Sequence, residues 1–215
     1  MNKSSIYSHR GLVHGKAASQ NSIDQLLTAF TLGFSLETDI RIYDNRLYIS
    51  HDPISSISTV PLLDDFLAEI IKAKHAEQSI ALNIKEDGLT PHIRSILSKY
   101  PAVNCVCFDM SVPETQHYRS SAIPYLERIS EYEDGDCFPD RTGFWIDAFH
   151  SCDPVAQFAS LPSFGTSYSI VVSPELHGFE RYPCWRSLKS SAHLDHLSIC
   201  TDYPEDAFTF FNAND

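Results

Sequence analysis

Basic residues are scarce in this 215-residue sequence: 16 Lys and Arg stand against 28 Asp and Glu, a formal net charge of −12. A polyanion needs a concentration of cations, and no basic stripe offers one. Nucleic acid is therefore excluded as a partner gripped by its backbone, whereas a small phosphorylated molecule needs only local cations. No apolar run approaches the ~20 residues that span a bilayer. The opening MNKSSIYSHRGL carries no signal-peptide core, so the expectation is a soluble, cytoplasmic chain without a transmembrane segment. The six cysteines, at 105, 107, 137, 152, 184 and 200, never pair as C-x-x-C. Several lie in apolar runs such as VNCVCFD, which reads as buried free thiols rather than disulfides or zinc ligands. No Pro/Gly/Ser-rich linker divides the chain, and 43% hydrophobic content is enough for one substantial core, so residues 1–215 read as one domain.

What is present is alternation. Strand-like runs occur at SIYSHRG, FSLETDIRI, LYISHD, SIALNIKE, NCVCFDM, IPYLERIS, TGFWIDAF, YSIVVSPEL and HLSICTDYP. Helical periodicity separates several of them. NSIDQLLTAFTLGF has Asn21 or Ser22 as cap, Asp24 in its first turn and Gly33 near its end; LLDDFLAEIIKAKH, HIRSILSKY and the weaker DPVAQFASL follow. Repeated βα units predict a parallel sheet, and this many in one domain predict a compact single-domain α/β fold, the (β/α)8 TIM barrel, with one strand left over as an extra strand or hairpin.

Within SLETDIRIYDNRLYISHDP, residues i and i+2 of an extended strand share a face, so Glu37 and Asp39 aim two carboxylates at one place. Two such anions repel, and apolar Leu36, Ile40 and Ile42 argue against an exposed edge where water would separate them. Either a shared cation or salt bridges to Arg10, Arg41 or Lys85 must compensate them. Reacting groups of such barrels sit at the C-terminal ends of strands. Here His9 and Arg10 end the first run, Glu37 and Asp39 the second, His51 the third, and Asn83 and Lys85 the fourth.

Taken in order over residues 7–87, His9-Arg10-Gly11, Gln20-Asn21-Ser22, Glu37-x-Asp39, His51-Asp52 and Asn83-Ile84-Lys85 resemble the signature of the glycerophosphodiester phosphodiesterase family, within the phosphatidylinositol-phospholipase-C-like barrel superfamily. Beyond them only Thr201-Asp202-Tyr203-Pro204 resembles a family pattern. The resemblance implies a phosphoric diester hydrolase. His9 and His51 would be its acid/base pair, suited by a pKa near neutrality, and Arg10 and Lys85 would bind the substrate phosphate. Glu37, Asp39 and Asn83 would hold a divalent metal cation, Mg2+ or Ca2+, since hard ions take oxygen ligands. The implied substrate is a small phosphodiester, with a glycerophosphodiester cleaved to glycerol phosphate and an alcohol as the leading case. Two alternatives stay open: a glycerophosphate-containing glycan or lipid headgroup as substrate, and a catalytically impaired barrel that binds a phosphorylated ligand.

Three departures from the family pattern bear on these roles. Asn83 stands where Glu is common, and Gln20-Asn21-Ser22 replaces Glu-Asn-Thr. The 31 residues between His51 and Asn83 are too few for the usual insertion after the third strand. His14, His150, His177 and Trp185 could line the mouth, but each alone reads more readily as a surface or packing residue. Asp52 reads equally as a group that orients a neighbouring backbone or histidine and as a turn residue.

Overall fold

The computed structural model describes residues 1–12, 20–73, 78–135, 138–160 and 168–213. His14, Cys137 and the last residues of the expected second helix lie outside them. All nine strand-like runs form strands: β1 (Ile6–His9), β2 (Ser35–Tyr43), β3 (Arg46–Ile49), β4 (Ser79–Ile84), β5 (Asn104–Phe108), β6 (Leu126–Ile129), β7 (Gly143–Ile146), β8 (Ser169–Val172) and β9 (Leu197–Thr201). Eight of them are parallel, in the order β5-β4-β2-β1-β9-β8-β7-β6, and β3 lies off this path, antiparallel to β2. The two ends of the path meet where Cys107 bridges in parallel to Tyr125 and donates its N–H to the Pro124 carbonyl at 2.9 Å. That contact nearly closes the barrel.

Among the described residues the helices are α1 (Ile23–Thr31), α2 (Leu63–Ala73), α3 (Thr90–Lys99), α4 (Val112–Ser120), α5 (Pro154–Phe158), α6 (Tyr182–Lys189) and α7 (Pro204–Asn212). Ser22 caps α1, its hydroxyl accepting from the Gln25 N–H. The sequence reading found α1, α2, α3 and α5 and passed over α4, α6 and α7. The reason for α4 is that Glu114 and Thr115 share its buried face with Tyr118, so no apolar stripe marks it. α6 shows its stripe only as Cys184, Trp185 and Leu188.

Strand alternation divides the core in two. Tyr7, Ala81, Val106, Phe108, Leu126, Trp145, Ile170, Val172 and Cys200 fill the barrel interior, with Phe108 stacked on Trp145 at 3.8 Å between ring centroids. The opposite faces of the same strands, such as Leu36, Ile40, Ile80 and Leu82, pack against Leu26, Phe30, Phe66 and Ile93 of the helices. Truncating a wholly buried ring such as Phe66 in a layer this close-packed costs about 3–5 kcal/mol. Because Leu36 and Ile40 face the helices, Glu37 and Asp39 face the interior; because Ala81 faces inward, so do Asn83 and Lys85.

β3 answers for the leftover strand. It pairs with Ile40–Tyr43, the part of β2 that overhangs the barrel, while β4 pairs with Leu36–Ile40 below. Running backwards from the overhang, β3 returns its C-terminal end to the rim, and Ser50 N–H donates to the Asp39 carbonyl at 3.0 Å. A strand outside the barrel thus still delivers His51 to the mouth.

Candidate active site

The parallel register sets His9 beside Glu37 and Asp39 beside Asn83. Arg10 and Asn21 both adopt left-handed backbone, φ 53° and 60°, a conformation that non-glycine residues rarely hold without compensation. Here two hydrogen bonds fix the turn: Arg10 N–H to the Glu37 carbonyl at 3.0 Å and Asn21 N–H to the Arg10 carbonyl at 2.9 Å. Gly11 follows at φ 91°, where a Cβ would stand 2.9 Å from the backbone of Gln25 and Leu26, so only glycine lets α1 pack this close behind the site.

Asp39 is wholly buried and surrounded by donors. Arg10 Nε lies 2.7 Å from Oδ2, Lys85 Nζ 3.0 Å from Oδ1, and the Asn21 amide donates to Oδ2 at 2.8 Å. Asn21 is oriented in turn by the Thr38 hydroxyl, which donates to its Oδ1 at 2.7 Å. Burial by itself raises the Asp39 pKa, but Lys85 and Arg10, helped by Asn21, outweigh it and hold the carboxyl below its ordinary value. The salt-bridge alternative for this pair of acids is thus realised at Asp39.

Glu37 is treated differently. It is 1% exposed, its nearest ionic neighbour among the described residues is His9 Nε2 at 3.8 Å, and no hydrogen bond from them reaches its Oε2. Burial, then the charge of Asp39, push its pKa up to about 7 against the pull of His9, Arg10 and Lys85. Among the described residues, Asn83 Oδ1 is likewise buried without a hydrogen bond, and Asp39 Oδ1 is met by Lys85 alone. Unsatisfied buried oxygens are costly and need a partner. Two carboxylates and an amide carbonyl make an oxygen set of the kind that hard divalent cations take, so the donor chemistry fits such an ion. Among the described residues no three His, Cys, Asp or Glu gather as a ready-made metal cluster. An ion here would depend on the Asn83 amide and would share Asp39 with Lys85.

His9 is held by a residue the sequence reading assigned no role. Its Nδ1 lies 2.7 Å from Asp202 Oδ1, just past β9. An ionised carboxylate only accepts, so the Nδ1 proton points to Asp202 and Nε2 is left as the free lone pair beside Glu37. Asp202 is steadied by Glu175, which accepts from the Thr201 hydroxyl and the Asp202 N–H, and from the Ser173 hydroxyl on its other side. The signal for Asp202 lay in the Thr201–Pro204 pattern. Asn21 was read only as a possible cap, and its bond to Asp39 had no local signature.

His51 stands apart from this cluster. Its side chain is half exposed, with Nδ1 2.8 Å from Asp52 Oδ1, and its carbonyl accepts from Arg41 Nε at 2.9 Å. It shares with Arg10, Gln20, Asn21 and Asp52 a cavity of about 420 Å³ beside the mouth. Both readings of Asp52 hold, because the Ser50 hydroxyl also closes a turn on its carbonyl at 2.8 Å. His177 Nε2 lies 2.6 Å from Asp147 Oδ1, past the end of β7, with the Phe149 ring edge-on to the imidazole, in keeping with the mouth-lining alternative for this residue. His150 is an exposed partner of Tyr132, and Trp185 is buried among the outer helices, donating to Ser173. Cys107, Cys184 and Cys200 are buried free thiols as expected, Cys105 is half-buried, and Cys152 is exposed.

No family model matches the sequence. No curated protein matches it either. Solved structures do. A proposed glycerophosphodiester phosphodiesterase of Galdieria sulphuraria superposes with a TM-score of 0.72 at 15% identity, covering 97% of this chain and 97% of that one. The glycerophosphodiester phosphodiesterase of Agrobacterium tumefaciens str. C58 gives 0.66 at 16% identity over 97% of this chain and 99% of its own. A proposed glycerophosphoryl diester phosphodiesterase of Silicibacter pomeroyi DSS-3 gives 0.65 at 12% identity, with 96% and 92% covered. At such identities the likeness is one of fold, and over nearly its whole length the chain has the α/β barrel fold of these glycerophosphodiester phosphodiesterase structures.

Proposed function

We propose that the chain is a metal-dependent phosphoric diester hydrolase of the cytoplasm whose substrate is a small glycerophosphodiester, cleaved to glycerol phosphate and an alcohol. The observation that carries this reading is the His9–Asp202 pair at 2.7 Å, which leaves Nε2 as a proton acceptor inside a mouth that also holds Arg10 and Lys85. In this reading His9 takes the proton of the attacking hydroxyl as the new P–O bond forms; water gives glycerol phosphate directly, whereas a neighbouring glycerol hydroxyl gives a cyclic phosphate that water then opens. His51 returns a proton to the alkoxide as the P–O bond to the leaving alcohol breaks. Arg10 and Lys85 neutralise the non-bridging oxygens, where charge accumulates in the transition state. They are already held in place by Asp39, so little reorganisation accompanies binding. A divalent ion on Glu37, Asp39 and Asn83 would add Lewis-acid polarisation of the phosphate when bound.

The short β3-to-α2 connection suits a small domain without a substrate-covering insertion. It leaves the cavity by His51 open for a group larger than glycerol, which keeps a glycan phosphodiester or a lipid headgroup as substrate alternatives. A second reading, a barrel that binds a phosphorylated ligand without turnover, is favoured by the neutral Asn83 and by the full compensation of Asp39. Release of alcohol from a panel of glycerophosphodiesters and glycan phosphodiesters with magnesium, calcium or manganese separates them. Turnover supports the enzyme; saturable binding without turnover supports the second reading.

A further inference from the structure

The barrel mouth has two halves, and the proposed hydrolysis uses one of them. β4, β2, β1 and β9 are consecutive in the strand order and carry Lys85, Asp39, Glu37, His9 and Asp202 at their ends. The other four, β8, β7, β6 and β5, also end in polar groups. Arg128 lies two residues past inward-facing Leu126, and Asp147 two past inward-facing Trp145, with the Asp147 N–H extending the ladder to the Ile129 carbonyl at 2.8 Å. Both therefore face the interior. The two halves border one space: burial, then the charges of Glu37, Asp202, Glu175 and Asp147, push the thiol pKa of inward-facing Cys200 up.

The second half is a connected network. His177 Nε2 lies 2.6 Å from Asp147 Oδ1, which leaves its Nδ1 without a partner among the described residues. Arg128 pairs with Asp109, the residue after β5, whose backbone is left-handed at φ 73° like that of Arg10 after β1. Arg128 Nε is buried and finds no acceptor in hydrogen-bond reach among the described residues, Glu133 Oε2 standing 3.6 Å away. The Phe149 ring joins the two groups, its centroid 5.1 Å from the His177 ring and 5.9 Å from Arg128 Cζ. With Asp109, Tyr132 and Phe138, Arg128 also lines a cavity of about 260 Å³. Polar groups held inside a cleft call for a partner, and no step of the hydrolysis supplies one.

We propose that Arg128, Asp147 and His177 select the group that stays on phosphorus after cleavage, and that this group is a neutral polyol, glycerol or larger. The inference rests on the phosphodiesterase reading of the site. Position argues for the retained group. Counted either way round the nearly closed order, β7 is four strands from β2, and β2 carries the β3 overhang that brings His51, the proton donor to the leaving alcohol. Charge argues for a neutral one. Arg128 is compensated by Asp109 and Glu133, Asp147 by His177, Glu127 by Arg141, and Glu131 by the N–H groups of Phe149 and His150. Asp134, the remaining acid lining the cavity, is exposed to water, which screens it. The set thus offers hydrogen bonds without a spare cation for a second phosphate or a buried spare anion for an ammonium. A hydroxyl both donates and accepts, so it meets the guanidinium, the carboxylate and either protonation state of His177 Nδ1.

The test uses p-nitrophenyl phosphodiesters of glycerol, choline and methanol, which keep the leaving group constant while the retained group changes. Wild type should prefer the glycerol diester to both others by roughly tenfold or more in kcat/KM, chiefly through KM, because a site built to bond hydroxyls rejects analogues that lack them. His177→Gln keeps a donor toward Asp147 but has no counterpart of Nδ1, and Arg128→Lys keeps the charge beside Asp109 but loses the planar fork. Each variant should lose most of the preference for glycerol, with its melting temperature unchanged. A wild-type preference for the choline or methyl diester, or an undiminished glycerol preference in both folded variants, would overturn the proposal. Calorimetric titration with glycerol phosphate and with phosphocholine separates this reading from the catalytic one. Glycerol phosphate bound by wild type and roughly tenfold more weakly by both variants, with no diester cleaved, would uphold the subsite and refute the phosphodiesterase reading. Phosphocholine bound as tightly as glycerol phosphate, or neither bound and neither diester cleaved, would refute the subsite.

Discussion

His9 and Asp202 lie 193 positions apart in sequence and 2.7 Å apart in space, because β1 and β9 are neighbours in the barrel. A carboxylate at that distance favours the imidazole tautomer that carries its proton on Nδ1. Asp202→Asn should lower kcat about 10- to 100-fold with KM little changed, since a carboxylate that fixes a tautomer acts through the histidine. Steady-state kinetics on a soluble phosphodiester, with circular dichroism to confirm the fold, is the check.

Stability should fall as pH rises toward neutrality. Glu37 titrates at about 7 in the folded chain against an ordinary 4.5, so the stability tied to its proton is fully present below pH 4.5 and lost as pH rises through 7. By the exchange rate of 1.4 kcal/mol per unit the loss is on the order of 3 kcal/mol. His177, raised by its bond to Asp147, contributes in the same direction. Comparison with Glu37→Gln isolates the glutamate: the slope of melting temperature between pH 5 and 8 should flatten in that variant, and identical slopes would refute the account of Glu37.

The strands were legible because alternation and β-branched runs mark them without help from tertiary contacts. The barrel followed from their number and from the helices between them. Helix α4 was not legible, because its buried face carries Glu114, whose carboxylate accepts from the Thr90 hydroxyl of α3 at 2.8 Å; a polar contact between helices leaves no apolar stripe. At the site, Glu37, Asp39, Arg10 and Lys85 were readable from strand-end placement. That Asp39 takes both cations while Glu37 is left beside His9 was not, since it depends on the left-handed turn at Arg10 and on Asn21 reaching across. Asp202 needed the strand order.

Asn83 should report on a metal. If its amide oxygen is a ligand beside Glu37 and Asp39, Asn83→Asp should tighten Mg2+ or Ca2+ binding by adding an anionic oxygen, with equal or lower turnover. Calorimetric titration of the metal, paired with melting curves, reads both effects. Unchanged affinity in a stable variant would remove Asn83 from the ligand set.

Arg10 and Lys85 share one buried carboxylate. Lys85→Met should cost about 3–5 kcal/mol by leaving Asp39 under-compensated, and the double variant Lys85→Met with Asp39→Asn should recover much of that loss without recovering activity. Urea denaturation of wild type, Lys85→Met, Asp39→Asn and the double variant measures the coupling. Purely additive costs would show that the pair is independent.

The central claim is that this mouth hydrolyses a phosphodiester with His9 as base. Purified chain incubated with a glycerophosphodiester panel and Mg2+ or Ca2+ should release the alcohol, and His9→Ala should slow that release about 10²- to 10⁴-fold while keeping its circular dichroism spectrum. No release from any diester, or a His9→Ala protein as fast as wild type, would contradict the account.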